Sequence, residues 1–508
     1  MTTQSIQTSP IRLWRKTLCR ENRKAAAIAS LKTAGVLAAF IFLTTFMGLG
    51  SGELYRNETL RAYLAMEMQR DGHFIVPHLY GQPILTKPPG QYWFIAGLSL
   101  PFGQVTEWTA RLPSALAASC LIVAVFAFLR PMFGLNSALF MACLMPCYWL
   151  WLERASSAEM DMLLTAWVGL AWLAFLQAMN LFEDWPAYAH RAHGWIVVSM
   201  LCVACGMLTK WTACIYFYVG MVPYVIWRGQ WRRLFSVGHL IGIGMVVGLF
   251  GGWFLAVIQH IGWDSFWQQL RAEALPRVLA SEHKGGVWLE TLLHPFKIML
   301  VMLPWSPLAL VACHPYFWRH PNVPLRRLIQ ALHGCLWPNL LLFSLLPEHA
   351  TRHSFPFTIT VTLLASLVLW EGYHRLGNRS APSILLRRVV FGIMLGWVCV
   401  KLMYVWVMVP MRDRDRQPSA KAAEMGKHIP PGEVLFLKQV KDEGMMFYYG
   451  RPVRRVKNWS DLPTNQTVMV IMTEAEFADF HAHTVRTIRR AIPLKDTQND
   501  KIMLIELA

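Results

Sequence analysis

The chain has 508 residues, of which 55% are hydrophobic and 15% charged, with a net charge of +18 and a mean hydropathy of +0.34. Soluble domains carry roughly 25% charged residues, so this composition, with 23 Trp and 26 Met, points to a polytopic membrane protein. The positive balance could suit nucleic acid. However, Lys and Arg recur in short clusters between apolar runs instead of forming one basic domain, which fits membrane orientation and argues against a nucleic-acid partner.

Residues 1–32 form a basic leader with Arg12, Arg15, Lys16, Arg20, Arg23, Lys24 and Lys32. The apolar run that follows has no clear small-x-small cleavage site, so it reads as a retained first helix with a cytoplasmic N-terminus and not as a signal peptide. A bilayer-spanning helix needs about 20 apolar residues. Candidate spans are 33–50, 110–129, 134–152, 162–181, 195–209, 212–227, 238–258, 296–313, 328–346, 354–370 and 389–409. The expected fold is thus mainly α, a membrane helical bundle of about eleven or more spans. Residues 33–409 make the bundle, with a large outer loop at 51–108, and 410–508 make a small soluble α/β domain.

That outer loop follows the apolar run Ala34–Gly50 directly. From Glu53 to Pro89 it reads ELYRNETLRAYLAMEMQRDGHFIVPHLYGQPILTKPP, and Tyr92, Trp93 and Phe94 come next. Ionisable groups at a membrane edge are costly and usually functional, and such aromatics settle at the interface. The loop is expected to lie on the bilayer as a re-entrant surface presenting its charges.

The remaining loops fix the orientation. Arg130, Arg191, Arg228, Arg232, Arg233, Arg319, Arg326, Arg327, Arg375, Arg379, Arg387 and Arg388 fall in alternate loops, which places those loops in the cytoplasm. An odd span count then puts the C-terminal domain outside. In that domain Val434–Leu437, Val468–Met472 and Lys501–Leu507 read as strands and Glu474–His483 as a helix. The ten Cys lie almost entirely in apolar runs, and the Cys202/Cys205 pair has no second pair. They read as small buried side chains, not as redox or zinc ligands.

Each outer loop brings ionisable residues close to an apolar run. Glu53, Glu58, Arg61, His73 and Lys87 come from the first loop, and Glu153, Arg154, Glu159 and Asp161 from the second. Lys210 stands alone at its loop. Arg271, Glu282, His283 and Lys284 come from the long loop, and Glu348, His349, Arg352 and His353 from the last. Such a set can hold a base beside an anion clamp. The plainer reading, solvated loop charges, suits Glu53, Arg154 and His349 taken singly. Asp161 differs, because it heads the apolar segment SSAEMDMLLTAW, with Glu159 two positions earlier and pointing elsewhere on a helix. Lys87 is fixed by Pro88 and Pro89, which stiffen the chain. No Walker, HExxH or GxSxG pattern is present.

The order of these pieces resembles the bacterial type C membrane glycosyltransferases related to lipid A aminoarabinose transferase and protein O-mannosyltransferase. The likeness covers residues 30–375 or so. It rests on NETLRAYLAMEMQRDGHFIVPHLYGQPILTKPPGQYWF, ARLPSALAA at Ala110–Ala118, MDMLLTAW at Met160–Trp167, GMLTK at Gly206–Lys210, LPWSPL at Leu303–Leu308 and RHSFP at Arg352–Pro356. The resemblance implies transfer of a sugar from a polyprenyl-phosphate donor, such as an undecaprenyl-phosphate-linked sugar, to a lipid, glycan or protein acceptor at the periplasmic face of an inner membrane.

Two departures bear on the site. The family opens its first outer loop with Asp-Glu, the Asp being its proposed base. Here the pair is Asn57-Glu58, and Asn cannot take up a proton. Glu58, Glu53 or Asp161 would have to act instead, or activity has been lost. The family's acidic residue before Lys-Pro-Pro, which can help bind a divalent metal, is Thr86 here. No cofactor is implied beyond that metal. A lipid-phosphate leaving group would be neutralised by Lys87, Lys210 and Arg352, with Arg able to bind it through two parallel bonds. The rival classes are an inactive binding relative and a lipid transporter or flippase. A transporter would place charges at mid-membrane on broken, repeated helices. The sugar, the acceptor and the oligomeric state are not legible.

Overall fold

The structure is a computed structural model describing residues 28–184, 189–279, 287–346, 349–377, 380–464, 466–483 and 486–508. The basic cluster from Arg12 to Lys24, and Glu282, His283, Lys284, Glu348 and Arg379, lie outside the described residues.

Among the described residues eight helices are long and apolar enough to cross a membrane: Ile28–Phe46, Glu107–Phe133, Met160–Asn180, His190–Thr209, Val237–Ile261, Val323–Leu345, Thr351–Leu376 and Ala381–Lys427. The pair Leu289–Val301 and Trp305–Val311 is bent by 108° and could count as one more span. Pro304 sits at that bend, where its missing N–H interrupts the helical ladder. Two shorter apolar helices, Leu135–Leu144 and Ala213–Trp227, complete the order. Most of the expected apolar runs become helices, but 134–152 breaks into Leu135–Leu144 and Trp149–Arg154 and 296–313 into the bent pair, so among the described residues the expected eleven or more spans come down to eight, or nine with that pair.

Burial sorts these helices. The stretch Thr351–Leu376 is central, with 89% of its most apolar window buried. Three of its hydroxyls are satisfied within the helix, where Thr358, Thr360 and Ser366 donate to Phe355 O, Phe357 O and Leu363 O one turn back. Val237–Ile261 and Ala381–Lys427 are peripheral, with 17% buried in each. They leave Leu240, Ile241, Val247, Leu385, Val389 and Phe391 exposed, an apolar face suited to lipid. The loops with excess Arg gather at one end. Glu183 accepts from Arg228 at 3.0 Å and Arg327 at 2.7 Å, and Glu371 from Arg375 at 2.9 Å.

The outer loop departs from expectation. It folds as the helix Asn57–Asp71, a short hairpin of β1 (His78–Leu79) with β2 (Gln82–Pro83), and the helix Gly90–Ser99. Ala62, Tyr63, Leu64 and Ala65 are buried in one core with Leu435, Met445, Met446 and Ile471 of the C-terminal domain. The loop is thus a layer between bundle and domain, not a surface laid on the bilayer. A cover of Leu, Met and Ile from distant sequence outcompetes water and headgroups for its apolar side chains.

The C-terminal sheet contains β3 (Leu435–Leu437), β4 (Val453–Arg455), β5 (Val468–Thr473), β6 (Ile488–Lys495) and β7 (Lys501–Leu507), in the order β4-β3-β5-β7-β6. β3 runs parallel to β4 and β5, while β7 is antiparallel to β5 and β6. The helix Glu474–His483 stands where the sequence placed it. β4 and β6 were not anticipated. β4 has three residues, two of them Arg, and β6 is an exposed edge carrying Pro493, a position where proline is tolerated and pattern is weak. The last spanning helix also continues past residue 409, breaking only at Gln417, whose φ is 47°. The hairpin is tied to the sheet. Arg455 N donates to Tyr80 O at 2.9 Å, Gln82 Nε2 donates to Arg455 O at 3.0 Å, and a Cβ on Gly81 would stand 2.1 Å from Arg454 Nη1.

Candidate active site

The outer-end charges form two neighbouring groups. The first centres on Glu58, in the first turn of the helix Asn57–Asp71. Its Oε1 accepts from Arg111 Nε at 3.0 Å and Ala158 N at 2.9 Å, and its Oε2 from Arg111 Nη2 and Tyr55 N, both at 3.1 Å. Arg111 spends its other N–H groups on the carbonyls of Leu49, Ser51, Gly52 and Glu53. Burial opposes the charged form of Glu58. The Arg111 guanidinium and the two backbone N–H groups outweigh it and hold the carboxyl below its ordinary range. Glu58 is therefore a clasp between the end of the first helix, the loop helix and the turn at Ala158. Its oxygens are all engaged.

The second group centres on Asp161, in the first turn of the helix Met160–Asp184. Lys210 Nζ lies 3.4 Å from its Oδ1 and Arg154 Nη1 3.8 Å from its Oδ2. Asp161 is 4% exposed and Lys210 9%. Arg154 also pairs with Glu159 and, at 3.2 Å, with Glu153. Glu159 falls just before the helix begins, so it turns back to Arg154 and converges with Asp161 there, contrary to the divergence expected of two positions on one helix. Burial pushes the Glu159 carboxyl up to about 7. Arg154 opposes the shift, while the Asp161 and Glu58 carboxylates add to it. Arg352 and His353 lie within electrostatic reach of Asp161, and Tyr216 Oη donates to His353 O at 2.5 Å.

Close packing brings the Lys87 segment to the same region. A Cβ on Gly90 would lie 2.6 Å from Leu208 O, and one on Gly206 2.8 Å from Ala213 Cβ. Only glycine lets the start of the helix Gly90–Ser99 meet the chain just before Lys210. Gln91 Nε2 donates to Ala158 O at 3.2 Å, which fixes that contact. Of the predicted site residues, Asp161, Lys210 and Arg352 come together, and the turn at Ala158 joins them to Glu58. Asn57 instead lines a different cavity under the C-terminal domain. Glu53 is also drawn that way, since its Oε1 accepts from Ser419 N at 3.1 Å.

Sequence reasoning missed the roles of Arg111 and Lys401. Lys401, 2% exposed on the last spanning helix, donates to Ser156 Oγ at 2.7 Å, and Ser156 Oγ donates to Thr45 O at 2.8 Å. A lone lysine inside an apolar run was the available signal. At the position where the resemblance expects a metal-binding acid stands Thr86. Among the described residues no group of three or more His, Cys, Asp or Glu is placed to hold a metal ion.

A buried carboxylate ringed by cations at the bundle mouth can orient a hydroxyl and hold an anion. Comparison with known proteins gives the following likenesses. The family model described as dolichyl-phosphate-mannose-protein mannosyltransferase matches residues 86–268. The undecaprenyl phosphate-alpha-4-amino-4-deoxy-L-arabinose arabinosyl transferase of Pseudomonas aeruginosa (strain UCBPP-PA14) is 26% identical over 332 residues, 64% of this chain and 57% of the relative. The Yersinia enterocolitica protein of the same name is 25% identical over 385 residues, 74% of this chain and 66% of its own. The match thus spans less than two thirds of these relatives' length. Among solved structures, ArnT from Cupriavidus metallidurans bound to undecaprenyl phosphate superposes with a TM-score of 0.70 at 16% identity, covering 94% of this chain and 97% of that one. The oligosaccharyltransferase AglB of Archaeoglobus fulgidus, in complex with an inhibitory peptide and a dolichol-phosphate, reaches 0.51 at 12% identity over 89% and 70%. The fold is like that of ArnT, and the sequence is similar to the undecaprenyl phosphate-alpha-4-amino-4-deoxy-L-arabinose arabinosyl transferases.

Proposed function

We propose that the protein is a membrane glycosyltransferase that moves a sugar from a polyprenyl-phosphate donor to an acceptor at the periplasmic face of a bacterial inner membrane, with its C-terminal domain in the periplasm. The observation that carries this reading is the convergence of Asp161, Lys210, Arg154 and Arg352 at one end of the bundle. Asp161 is the proposed base, orienting and deprotonating an acceptor hydroxyl. Glu159, with its raised proton affinity, is placed to share that proton around Arg154. Lys87, Lys210 and Arg352 are the proposed cations for the donor phosphate. That phosphate gains charge as the glycosidic bond breaks, so fixed cations favour the transition state over the bound donor. Asn57 is assigned no proton-transfer role.

The test is reconstitution of the full chain with a synthetic polyprenyl-phosphate sugar and a membrane-lipid extract. Sugar appearing on an extract component, with free polyprenyl phosphate released, is the expected result. A deletion strain should lack the same single modification. Donor left intact with every extract fraction, together with an unchanged lipid and glycan profile in the deletion strain, would sink the proposal.

A further inference from the structure

Lys401 stands on the last spanning helix and is 2% exposed. Among the described residues no carboxylate lies within ion-pair distance of it, and Arg111, within electrostatic reach, has the same sign. A buried ammonium without a countercharge costs stability, and inside an apolar run it is usually kept for function. Its hydrogen bond goes to Ser156 Oγ at 2.7 Å, and Ser156 Oγ donates in turn to Thr45 O at 2.8 Å. An ammonium donates and never accepts. The Ser156 hydrogen therefore points toward the first spanning helix, and the hydroxyl is locked between the first helix and the last.

The backbone is shaped around this tie. Phe42–Phe46, which contains Thr45, and Tyr404–Met408, just beyond Lys401, both wind as π-helix, a widened turn that recurs at functional sites. The two helices meet closely there. A Cβ on Gly48 would stand 2.4 Å from Val405 Cγ1, so the last helix has little freedom to slide against the first.

Ser156 matters because of where it sits. The turn Ala155–Glu159 separates Arg154 from Asp161, so charges of the candidate site hang from both of its ends. The second half of the turn is held by the outer loop and the helix Glu107–Phe133: Ala158 N donates to Glu58 Oε1, Gln91 Nε2 to Ala158 O, and Ser114 Oγ to Glu159 O at 3.2 Å. The first half, next to Arg154, is held by the Lys401–Ser156–Thr45 chain. We propose that Lys401 is a positioning residue for sugar transfer: through Ser156 it sets Arg154 against Asp161, which stand 3.8 Å apart. This rests on the transferase reading of the same site.

The test uses the full chain in detergent. Lys401→Met removes the charge and keeps an unbranched side chain. It should melt no lower than the parent, because a buried charge without a countercharge has gone. Its kcat should fall about tenfold at unchanged donor KM. Ser156→Ala should show the same split, and the two substitutions together should lose no more than either alone, since they cut one chain of bonds. Backbone hydrogen exchange over residues 155–159 should quicken in both. That readout needs no transfer, so a parent that moves no sugar counts against the transferase reading while exchange still decides the tie. Parental exchange in the turn, or parental kcat in both variants, would overturn the proposal. So would a loss of kcat matched by an equal loss of folded protein, which marks Lys401 as structural only. If Lys401→Met does not fold, Ser156→Ala, at a half-buried hydroxyl, carries the same test.

Discussion

Glu58 and Arg111 face each other through two hydrogen bonds of 3.0 and 3.1 Å, both side chains buried, in a pair that closes the outer loop onto the bundle. A carboxylate so occupied is a structural element first. Removing one partner of a buried pair costs about 3–5 kcal/mol, because the other charge is stranded. Glu58→Gln is therefore expected to lower the melting temperature of the purified protein along with its transfer rate. Glu58→Gln/Arg111→Gln should recover part of that loss. If Glu58→Gln melts like the parent yet transfers far less sugar, the carboxylate acts chemically and the clasp reading is wrong.

Asp161 carries a different expectation. Its ring of cations, Lys210 at 3.4 Å and Arg154 at 3.8 Å, holds it oriented at the bundle mouth. Asp161→Asn should reduce turnover about 10²–10⁴-fold while membrane insertion and detergent solubility stay at parental levels. Near-full transfer in that variant would remove Asp161 from the chemistry. Asn57→Asp is the companion measurement. A rise in activity there would mean that the base the resemblance expects is simply missing from this chain.

The spans were legible because each is a long apolar run, and lipid asks for little more. The sheet strands at β5 and β7 were legible because they are continuous apolar stretches. The burial of the helix Asn57–Asp71 was not. NETLRAYLAMEMQRD has charges on every side, and what covers Tyr63 and Leu64 is Met445, Met446 and Leu435, nearly 400 residues away in the chain. The Glu58–Arg111 pair was hidden for the same reason, since no local pattern announces a partner 53 positions on. Asp161 and Lys210 were legible singly, as charges at span ends. That they touch is a tertiary fact.

Orientation can be checked independently of activity. The Arg-rich loops meet at one end of the bundle around Glu183 and Glu371, and the site residues at the other. An alkaline phosphatase fused after residue 427, beyond the end of the last spanning helix, should be active, and a cytoplasmic reporter there silent. The reverse pattern would invert the protein in the membrane.

Glu67 gives a pH prediction. It is fully buried on the loop helix, with Tyr63 Oη at 3.2 Å and Arg70 Nη2 at 3.3 Å on one oxygen and no partner for the other. Burial pushes its carboxyl up from 4.5 to about 7. The folded state thus holds a proton that the unfolded chain has lost between those values. Stability contributed by the protonated acid is complete below about 4.5 and is lost as pH rises toward 7. Glu67→Gln should flatten that slope and melt higher than the parent at pH 8, by the order of 1–3 kcal/mol. Parallel melting curves for the two proteins from pH 5 to 8 would show that Glu67 is already ionised across the range.

The phosphate assignment separates from a plain anchoring role. Lys87 precedes a proline pair and a glycine that packs against Leu208, so its backbone is fixed before any ligand arrives. Arg352 opens the most buried helix of the bundle, close enough to act on Asp161 and Glu159. A phosphate at the edge of a low-dielectric bundle attracts a cation more strongly than one in water, whereas a lysine gripping bulk headgroups would gain roughly the same from any anionic lipid. Lys87→Met and Arg352→Met should therefore each weaken binding of polyprenyl phosphate to the purified chain by at least tenfold, about 1.4 kcal/mol. Lys438→Met is the control, because Lys438 lies over Trp459 of the C-terminal domain at 5.3 Å and should leave affinity unchanged. Parental affinity in both loop variants, with vesicle binding reduced instead, would assign Lys87 and Arg352 to anchoring.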